Sequence, residues 1–330
     1  MADGSLCEDD AIAAADADGD DADDAAVEER VATVDADRHG ARLDKAIVAF
    51  VPEFSRSHVQ QLIRSGFVAL DGAPLTSPAH RVRAGQRVAV RLQPTAESRA
   101  YRAEPLPLAI VHEDSDVLVI DKAAGMVVHP AAGNWSGTVL NALLARDPAS
   151  AALPRAGIVH RLDKDTSGLM VVGRTLAAVT ALVRAIAARE VQRRYLAIAH
   201  GTPARRRWPI DAPIGRDPRL RTRMAIVAAG KPARTDVERV VAAEGFAALR
   251  CTLHSGRTHQ IRVHLASTGM PLVGDRLYGG APGLGMTRQA LHAHELAFTH
   301  PGSGRPMTFR SEPPRDFAHA WEHLVATGGG

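Results

Sequence analysis

The sequence contains little cysteine, no long apolar run and few aromatic side chains, and each shortage excludes a class of protein. Its two cysteines, Cys7 and Cys251, are far apart and form neither a disulfide framework nor a zinc-binding set, which is typical of a reducing cytoplasm. No apolar run approaches the length that spans a bilayer, and the N-terminus has neither the basic nor the apolar region of a signal peptide. Aromatic residues make up 4% of the chain, but an apolar content of 45% in 330 residues predicts one large domain and a smaller one.

Lys and Arg are absent from the first 29 positions, which hold 12 of the 37 acidic residues. We predict that residues 1–30 form a disordered acidic tail, because a segment of Ala, Asp, Glu and Gly cannot bury enough apolar surface to offset its ordering entropy. All 40 basic residues lie in the rest of the chain. A body this basic favours an anionic partner, nucleic acid first, although an arginine-rich soluble protein would carry the same charge.

Residues 38–93 have the pattern of a small α+β module. Apolar residues recur first at helical spacing and then at every second position, as elements with one buried face require. The predicted elements are a helix over residues 43–51, a short helix around residues 59–63 that ends at Gly66, and strands at residues 67–70 and 88–92. Residues 94–107, with several prolines and acidic residues, are predicted to be a linker.

Basic residues decorate this module, and their arrangement favours contact with RNA phosphates over a merely solvated face. The seven residues are Arg42, Lys45, Arg56, Arg64, Arg81, Arg83 and Arg87. The pieces Arg42-Leu43-Asp44 and Ser57-x-x-x-Gln61-Leu62-Ile63-x-x-Gly66-x-Val68 resemble the S4 RNA-binding module. That resemblance implies binding of structured RNA, and we expect Arg42, Arg56 and Arg64 to contribute to it.

Residues 108–327 are predicted to form a larger α+β domain. The predicted strands lie at residues 110–111, 117–120, 169–172, 195–199, 235–242 and 246–254, and the predicted helices at 139–144, 176–190, around 261–268 and at 317–325. In the second of these helices we expect Leu176, Val179, Val183 and Ile186 to form the buried face. Residues 202–230 are predicted to be irregular, and their seven arginines and two aspartates favour a phosphate partner.

The most informative stretch is residues 157–170, in which a polar loop separates two apolar runs. Seven of the eight residues from His160 to Ser167 are polar. A polar loop between buried strands is typical of an active site, because a rigid scaffold then holds the reactive side chains. The alternative is a surface turn whose Asp and Thr side chains cap the neighbouring backbone.

Three motifs resemble those of the RluA/RluD family of RNA pseudouridine synthases. They are His160-Arg161-Leu162-Asp163 followed by Thr166-Ser167-Gly168-Leu169, then Arg193-Arg194-Tyr195, and finally Gly256-Arg257-Thr258-His259-Gln260-Ile261-Arg262-Val263-His264-Leu265. Shorter matches are Asp121-Lys122-x-x-Gly125-Met126, Gly274-Asp275-x-x-Tyr278-Gly279 and, similar to the RluD branch, Pro213-Ile214-Gly215-Arg216 and Gly230-Lys231-Pro232-Ala233. The resemblance runs from about Arg42 to the C-terminal end. It implies a catalytic domain with a central mixed, largely antiparallel sheet flanked by helices.

The resemblance also implies roles for individual residues. Asp163 is expected to be the catalytic carboxylate, acting as a nucleophile or taking a proton from the sugar while positive charge develops at C1′. Arg262 resembles the arginine that pairs with it, and Tyr195 the residue that stacks on the target base. Arg161 resembles the residue that fills the RNA stack when the base flips out. Further RNA contacts are expected from His160, Thr166 and Arg257, and no cofactor or metal is expected because the isomerisation needs no external group.

The predicted substrate is large-subunit (23S) ribosomal RNA, with the helix 69 stem-loop as the target, either free or in a pre-50S particle, and the enzyme is expected to act as a monomer in the cytoplasm. The same chemistry on other 23S or tRNA uridines is one alternative. A second is a non-catalytic RNA-binding factor in ribosome assembly. A third is a metal-dependent phosphodiesterase that uses Asp163 and Asp165 as a carboxylate pair, and it predicts loss of activity with a chelator.

Overall fold

The computed structural model describes residues 28–92, 100–131, 133–220 and 222–328. The chain divides into two compact units, residues 1–95 and 96–330. The predicted acidic tail lies outside the described residues up to position 27. In the described ranges, no helix is both long enough and apolar enough to cross a membrane.

The first unit contains two helices and an antiparallel sheet whose strand order is β1-β4-β2-β3. Its elements are β1 (Glu28–Thr33), α1 (Leu43–Phe50), α2 (Arg56–Arg64), β2 (Val68–Leu70), β3 (Ala73–Pro74) and β4 (Arg87–Leu92). Both helices bury the apolar faces expected from their spacing, and the Ser55 hydroxyl caps α2 by accepting a hydrogen bond from the backbone N–H of His58 at 3.2 Å. One apolar core joins the helices to the sheet.

The predicted boundary of the acidic tail is wrong at its C-terminal end. Residues 28–30 belong to strand β1, which pairs with β4 in the register Glu28 to Leu92 and Thr33 to Arg87. This strand has little apolar surface of its own and is held by ladder hydrogen bonds to a partner about 60 residues away. The composition of a segment cannot reveal such a partner, so the module begins earlier than predicted.

The second unit is built on a nine-stranded sheet in the described residues, with the order β5-β6-β7-β14-β8-β13-β12-β9 and with β15 paired to β14. Its strands are β5 (Ala109–Glu113), β6 (Val117–Lys122), β7 (Ser167–Gly173), β8 (Gln192–His200), β9 (Arg207–Asp211), β12 (Arg234–Ala243), β13 (Phe246–Leu253), β14 (Leu291–Thr299) and β15 (Pro306–Arg310). The β7–β14 pair is parallel and the other pairs are antiparallel. The predicted mixed, largely antiparallel sheet is therefore confirmed.

Four helices flank this sheet in the described residues. They are α3 (Val139–Arg146), α4 (Leu176–Ala187), α5 (Gln260–Ser267) and α6 (Arg315–Gly328). Side chains of β8 alternate between the two sheet faces, so that Tyr195 and Ala197 join the core formed with α3 and α5, whereas Leu196 and Ile198 join the core formed with α6. The α3 and α5 face is the one on which the polar loop lies.

The predicted buried face of α4 is wrong in part. Leu176 is 61% exposed and Val183 is 47% exposed, whereas Ala178, Val179 and Leu182 are buried. An alanine-rich helix offers several apolar stripes of similar width, and the position of the strands beneath it decides which stripe is covered.

Two further segments are more ordered than predicted. In the predicted linker, the backbone carbonyls of Ala100 and Arg102 accept hydrogen bonds from the Asn141 side chain at 3.3 and 2.8 Å, so residues 100–102 belong to the second unit. In the predicted irregular stretch 202–230, the chain forms β9 and a two-stranded hairpin of β10 (Ile214–Arg216) and β11 (Met224–Ile226). These strands are too short and too polar to show a clear period in the sequence.

Candidate active site

The polar loop that enters β7 is held by side chains from distant segments. The Lys122 ammonium, 1% exposed, donates hydrogen bonds to the backbone carbonyls of Ala123, Met126 and Lys164 at 2.8, 2.9 and 3.0 Å. The Arg288 guanidinium donates to the carbonyl of Asp165 at 2.9 Å. Burial lowers the pKa of Lys122 to about 8, although the charges of Asp165 and Asp163 oppose that change. The loop is therefore held at the two residues that directly follow Asp163.

Asp163 contacts Arg262, which lies in the first turn of α5. Arg262 Nη1 donates to Asp163 Oδ2 at 3.0 Å, while its Nε and Nη2 donate to the two oxygens of buried Asp275 at 2.7 and 2.9 Å. Burial acts to lower the pKa of Arg262, but the hydrogen bonds and charge of Asp275, and then Asp163, raise it above its usual range. The guanidinium is thus a fixed cation that stabilises the negative charge of Asp163 and leaves Oδ1 without an arginine partner.

His259 lies on the other side of Asp163, at the N-terminal end of α5, with the left-handed backbone angle φ of 56°. The Tyr278 oxygen accepts a hydrogen bond from the backbone N–H of Met224 at 3.0 Å and lies 2.8 Å from His259 Nδ1, and we assign the Tyr278 proton to that second contact. This places the remaining imidazole proton on Nε2, which is 3.9 Å from Asp163 Oδ1. Burial is the main cause that lowers the pKa of His259. A neutral N–H donor therefore lies beside the free oxygen of Asp163, in a strained backbone position of the kind found at functional sites.

A cavity of about 680 Å³ opens next to these residues. Asp163 is the acidic residue in its lining, and the six arginines there are Arg155, Arg161, Arg189, Arg193, Arg257 and Arg262. Tyr195 also lines the cavity, although most of its side chain is buried in the core formed with α3 and α5. Burial raises the pKa of Tyr195 to about 12, so its hydroxyl keeps its proton at neutral pH. The cavity thus combines a carboxylate, an aromatic ring and strong positive charge.

The structure brings Asp163, Tyr195 and Arg262 together around this cavity, and it places Arg161 and Arg257 on its exposed rim. Two other predicted substrate contacts are less open. His160 accepts a hydrogen bond at Nε2 from the backbone N–H of Val171 at 3.0 Å, which ties the loop to β7. Thr166 is buried, and its hydroxyl accepts a hydrogen bond from Gln289 at 3.3 Å. Their geometry favours support of the loop over direct contact with a substrate.

In the first unit, Arg42 and Arg56 are ordered by one buried carboxylate. Asp44 accepts hydrogen bonds from Arg42 at 3.1 Å, from Arg56 at 2.9 Å and from Gln60 at 2.6 Å. Burial acts to raise the pKa of Asp44, but these hydrogen bonds hold it well below its usual range. Both guanidinium groups remain partly exposed, and Arg64 is exposed on the same helix as Arg56. Asp44 therefore arranges two of the arginines predicted to bind RNA.

A group of possible metal ligands lies away from Asp163, at Asp114, Asp116 and His300. His300 Nδ1 accepts hydrogen bonds from the backbone N–H groups of Gly302 and Ser303 at 3.1 and 2.9 Å. Its proton therefore lies on Nε2, which donates to Asp114 at 3.0 Å. With both ring nitrogens engaged, His300 has no lone pair to offer a metal, and the cluster is a hydrogen-bonded network.

Sequence reasoning did not assign roles to Asp275, His259 and Tyr278. All three lie inside segments that resemble the family's motifs, Gly256 to Leu265 and Gly274-Asp275-x-x-Tyr278-Gly279. Position in a motif was the available signal, but it could not show that Asp275 holds Arg262 or that Tyr278 orients His259. Those relations depend on contacts between residues that are 13 and 19 positions apart.

Comparison with known proteins places this site in a family. The family model described as RNA pseudouridylate synthase matches residues 116–267, and the S4 domain model matches residues 41–88. A protein of Xanthomonas campestris pv. campestris named ribosomal large subunit pseudouridine synthase D is 47% identical over 301 residues, which cover 87% of this chain and 90% of that protein. The protein of the same name from Escherichia coli O6:H1 is 43% identical over 310 residues, covering 89% of this chain and 94% of that one.

A solved structure supports the same assignment. The human protein RNA Pseudouridylate Synthase Domain Containing 1 superposes with a TM-score of 0.52 and 27% identity, covering 68% of this chain and 87% of that chain. Two alternative hypotheses, a non-catalytic assembly factor and a phosphodiesterase, lose their support. The relatives are named as synthases, and Asp163 and Arg262 lie together at the cavity. The chain belongs to the family of RNA pseudouridine synthases with an N-terminal S4 domain, and it is an RNA pseudouridine synthase.

Proposed function

We propose that this enzyme converts specific uridines of large-subunit (23S) ribosomal RNA to pseudouridine, with the helix 69 stem-loop as its target. The similar proteins from Xanthomonas and Escherichia are named for action on the ribosomal large subunit, and they align over nearly their whole length. The S4 domain and its arginines supply an RNA-binding surface that a small-molecule enzyme would not need. We further propose that the enzyme acts as a monomer in the cytoplasm, on free RNA or on a pre-50S particle.

The observation that carries the proposed mechanism is the unequal environment of the two Asp163 oxygens. Asp163 lines the cavity, and its Oδ2 is bound by Arg262 at 3.0 Å, whereas its Oδ1 lies 3.9 Å from His259 Nε2. We assign Oδ1 as the reactive oxygen, which either attacks the nucleotide or takes a proton from the ribose as the N1–C1′ bond breaks. The base then rotates and its C5 atom bonds to C1′. The proton lost from C5 is balanced by the proton gained at N1, so no external group is consumed.

Access to the target base requires that it leave the RNA stack. Arg161, on the exposed rim of the cavity, is proposed to occupy the vacated position, and the Tyr195 ring is proposed to support the flipped base from the floor of the cavity. Because burial keeps the Tyr195 hydroxyl protonated, we assign this residue to stacking and not to proton removal. The arginines of the lining would offset the charge of the phosphates that accompany the base.

The test is pseudouridine mapping by carbodiimide modification on unmodified 23S RNA, without cofactor and with a chelator present. The wild-type enzyme is compared with Asp163→Asn, which keeps the side-chain shape and leaves the Arg262–Asp275 pair intact. A new modification in helix 69 with the wild type alone is the expected result. Modification at other sites would keep the chemistry and refute the target, modification of ribosomal particles alone would identify the assembled substrate, and an active Asp163→Asn variant would refute the mechanism.

A further inference from the structure

Arg193 is a buried cation that has no counter-ion within the described residues. It is 6% exposed, and its Nε is buried with no hydrogen-bond partner. Within the described residues its side chain forms no ion pair, although the neighbouring Arg194 pairs with Glu295 at 2.6 Å. An unpaired buried charge is destabilising by several kcal/mol, so such a residue is uncommon unless a ligand supplies the missing charge.

The side chain of Arg193 lies in the wall of the catalytic cavity. It shares the sheet face of Tyr195, two positions further along β8, and both residues line the cavity. Its guanidinium packs against Gly256 so closely that a Cβ atom there would lie 2.7 Å from Arg193 Nη1. The absence of a side chain at Gly256 therefore leaves space for the Arg193 guanidinium beside the cavity.

A second buried donor in the same wall also lacks an acceptor. His160 Nε2 accepts a hydrogen bond from the Val171 backbone, so its proton is on Nδ1, and Nδ1 is buried without a partner. Burial, and then the nearby charge of Arg193, lower the pKa of His160 to about 3, so the imidazole is neutral. The wall thus presents two buried donors, Arg193 Nε and His160 Nδ1, that have no hydrogen-bond partner within the described residues, together with the positive charge of Arg193, which is the arrangement that an anion completes.

We propose that Arg193 binds a backbone phosphate of the RNA, namely one of the two phosphates that flank the flipped uridine. The ribose of that nucleotide must lie at Asp163 and its base at Tyr195, and a phosphate on either side of the ribose is the anion that accompanies them into the cavity. RNA phosphates are the charged groups of the substrate, and a guanidinium binds phosphate with paired hydrogen bonds. The inference deepens the proposed function and requires only that the substrate be RNA.

The experiment combines two changes: an uncharged analogue replaces one RNA phosphate, and an uncharged side chain replaces Arg193. The RNA that the wild-type enzyme modifies is prepared with a single methylphosphonate, which removes one negative charge, at the phosphate 5′ or 3′ of the target uridine. For the wild type we expect kcat/KM to fall on the order of 10-fold or more at one of these two positions. For Arg193→Met, kcat/KM on normal RNA should fall by a similar factor, and the methylphosphonate should cause no further loss.

Arg194→Met is the matched control, because it removes the same charge from the next residue on the opposite sheet face. Its partner Glu295 keeps a second ion pair, with Arg310 at 2.9 Å. We expect this variant to remain sensitive to the methylphosphonate. Thermal unfolding distinguishes this role from a purely structural one. A structural role predicts that Arg193→Met lowers the unfolding temperature. We expect no decrease, because the substitution removes an unpaired buried charge.

Each outcome has a distinct meaning. A wild-type enzyme that is indifferent to both neutral phosphates, or an Arg193→Met variant that stays as sensitive as the wild type, would overturn the inference. The wild-type measurement needs no variant, so it tests the proposal even if Arg193→Met fails to fold. Failure of the proposed 23S target would show separately, as wild-type modification of another RNA, and the methylphosphonates would then flank that uridine.

Discussion

Replacing Asp275 with Asn should lower the free energy of unfolding substantially and slow the reaction. Asp275 is 1% exposed in its side chain and accepts two hydrogen bonds from Arg262, at 2.7 and 2.9 Å. Asparagine has the same shape, but its amide nitrogen cannot accept the second hydrogen bond and its charge is zero. Removing one partner of a buried ion pair costs about 3–5 kcal/mol, and the acceptor that remains reduces our expectation to roughly 2–4 kcal/mol.

The chain contains a matched control for this prediction. Asp316 accepts two hydrogen bonds from Arg288 at the same distances, 2.7 and 2.9 Å, but its side chain is 41% exposed. Asp316 lies in the first turn of α6 and also accepts a hydrogen bond from the backbone N–H of Phe317 at 2.8 Å, which the side-chain oxygen of asparagine can also accept. Because water already solvates this carboxylate, Asp316→Asn should cost about 0–1 kcal/mol.

Urea unfolding followed by tryptophan fluorescence measures both variants, since all three tryptophans, Trp135, Trp208 and Trp321, lie in the second unit. Steady-state kinetics on the target RNA should show that Asp275→Asn lowers kcat more than it changes KM, because Arg262 no longer holds Asp163 in one position. Equal destabilisation by the two substitutions, or the larger loss in Asp316→Asn, would refute the reasoning from burial.

Two further predictions concern residues that position groups around Asp163. Tyr278→Phe removes the hydroxyl that links the Met224 backbone to His259. We therefore expect kcat to fall with little change in KM, and the unfolding free energy to fall by about 1–2 kcal/mol. An unchanged kcat would contradict a role for the His259 proton. Lys122 binds its proton less tightly in the folded chain than in the unfolded one, so between about pH 8 and its ordinary value of 10.5 the unfolded chain holds more protons and stability rises with pH. The difference in unfolding free energy between the wild type and Lys122→Met should therefore increase over this pH range. A constant difference, measured by urea titrations, would show that burial does not lower the pKa of Lys122.

Most helices and strands of the second unit could be predicted from periodicity, because their apolar faces are wide and their polar faces distinct. The prediction was wrong for Leu176 and Val183, which have the spacing of a buried face but are exposed. It was also wrong for residues 28–30, whose strand depends on β4. In each case the local sequence allows more than one arrangement, and a partner distant in the chain selects one.

The sequence alone determined the two α+β modules, the polar loop before β7, and the group of residues from which Asp163, Tyr195 and Arg262 come. These depend on patterns and motifs within short segments, where each residue's neighbours are known from the chain itself. Only the tertiary structure decided that Asp275 holds Arg262 and that Tyr278 lies against His259. It alone also decided that Arg193 is buried with no ion pair to any described residue, while Arg194 pairs with Glu295. The physical reason is that burial, charge pairing and hydrogen-bond satisfaction are properties of a site, and the chain assembles that site from segments as many as 123 residues apart.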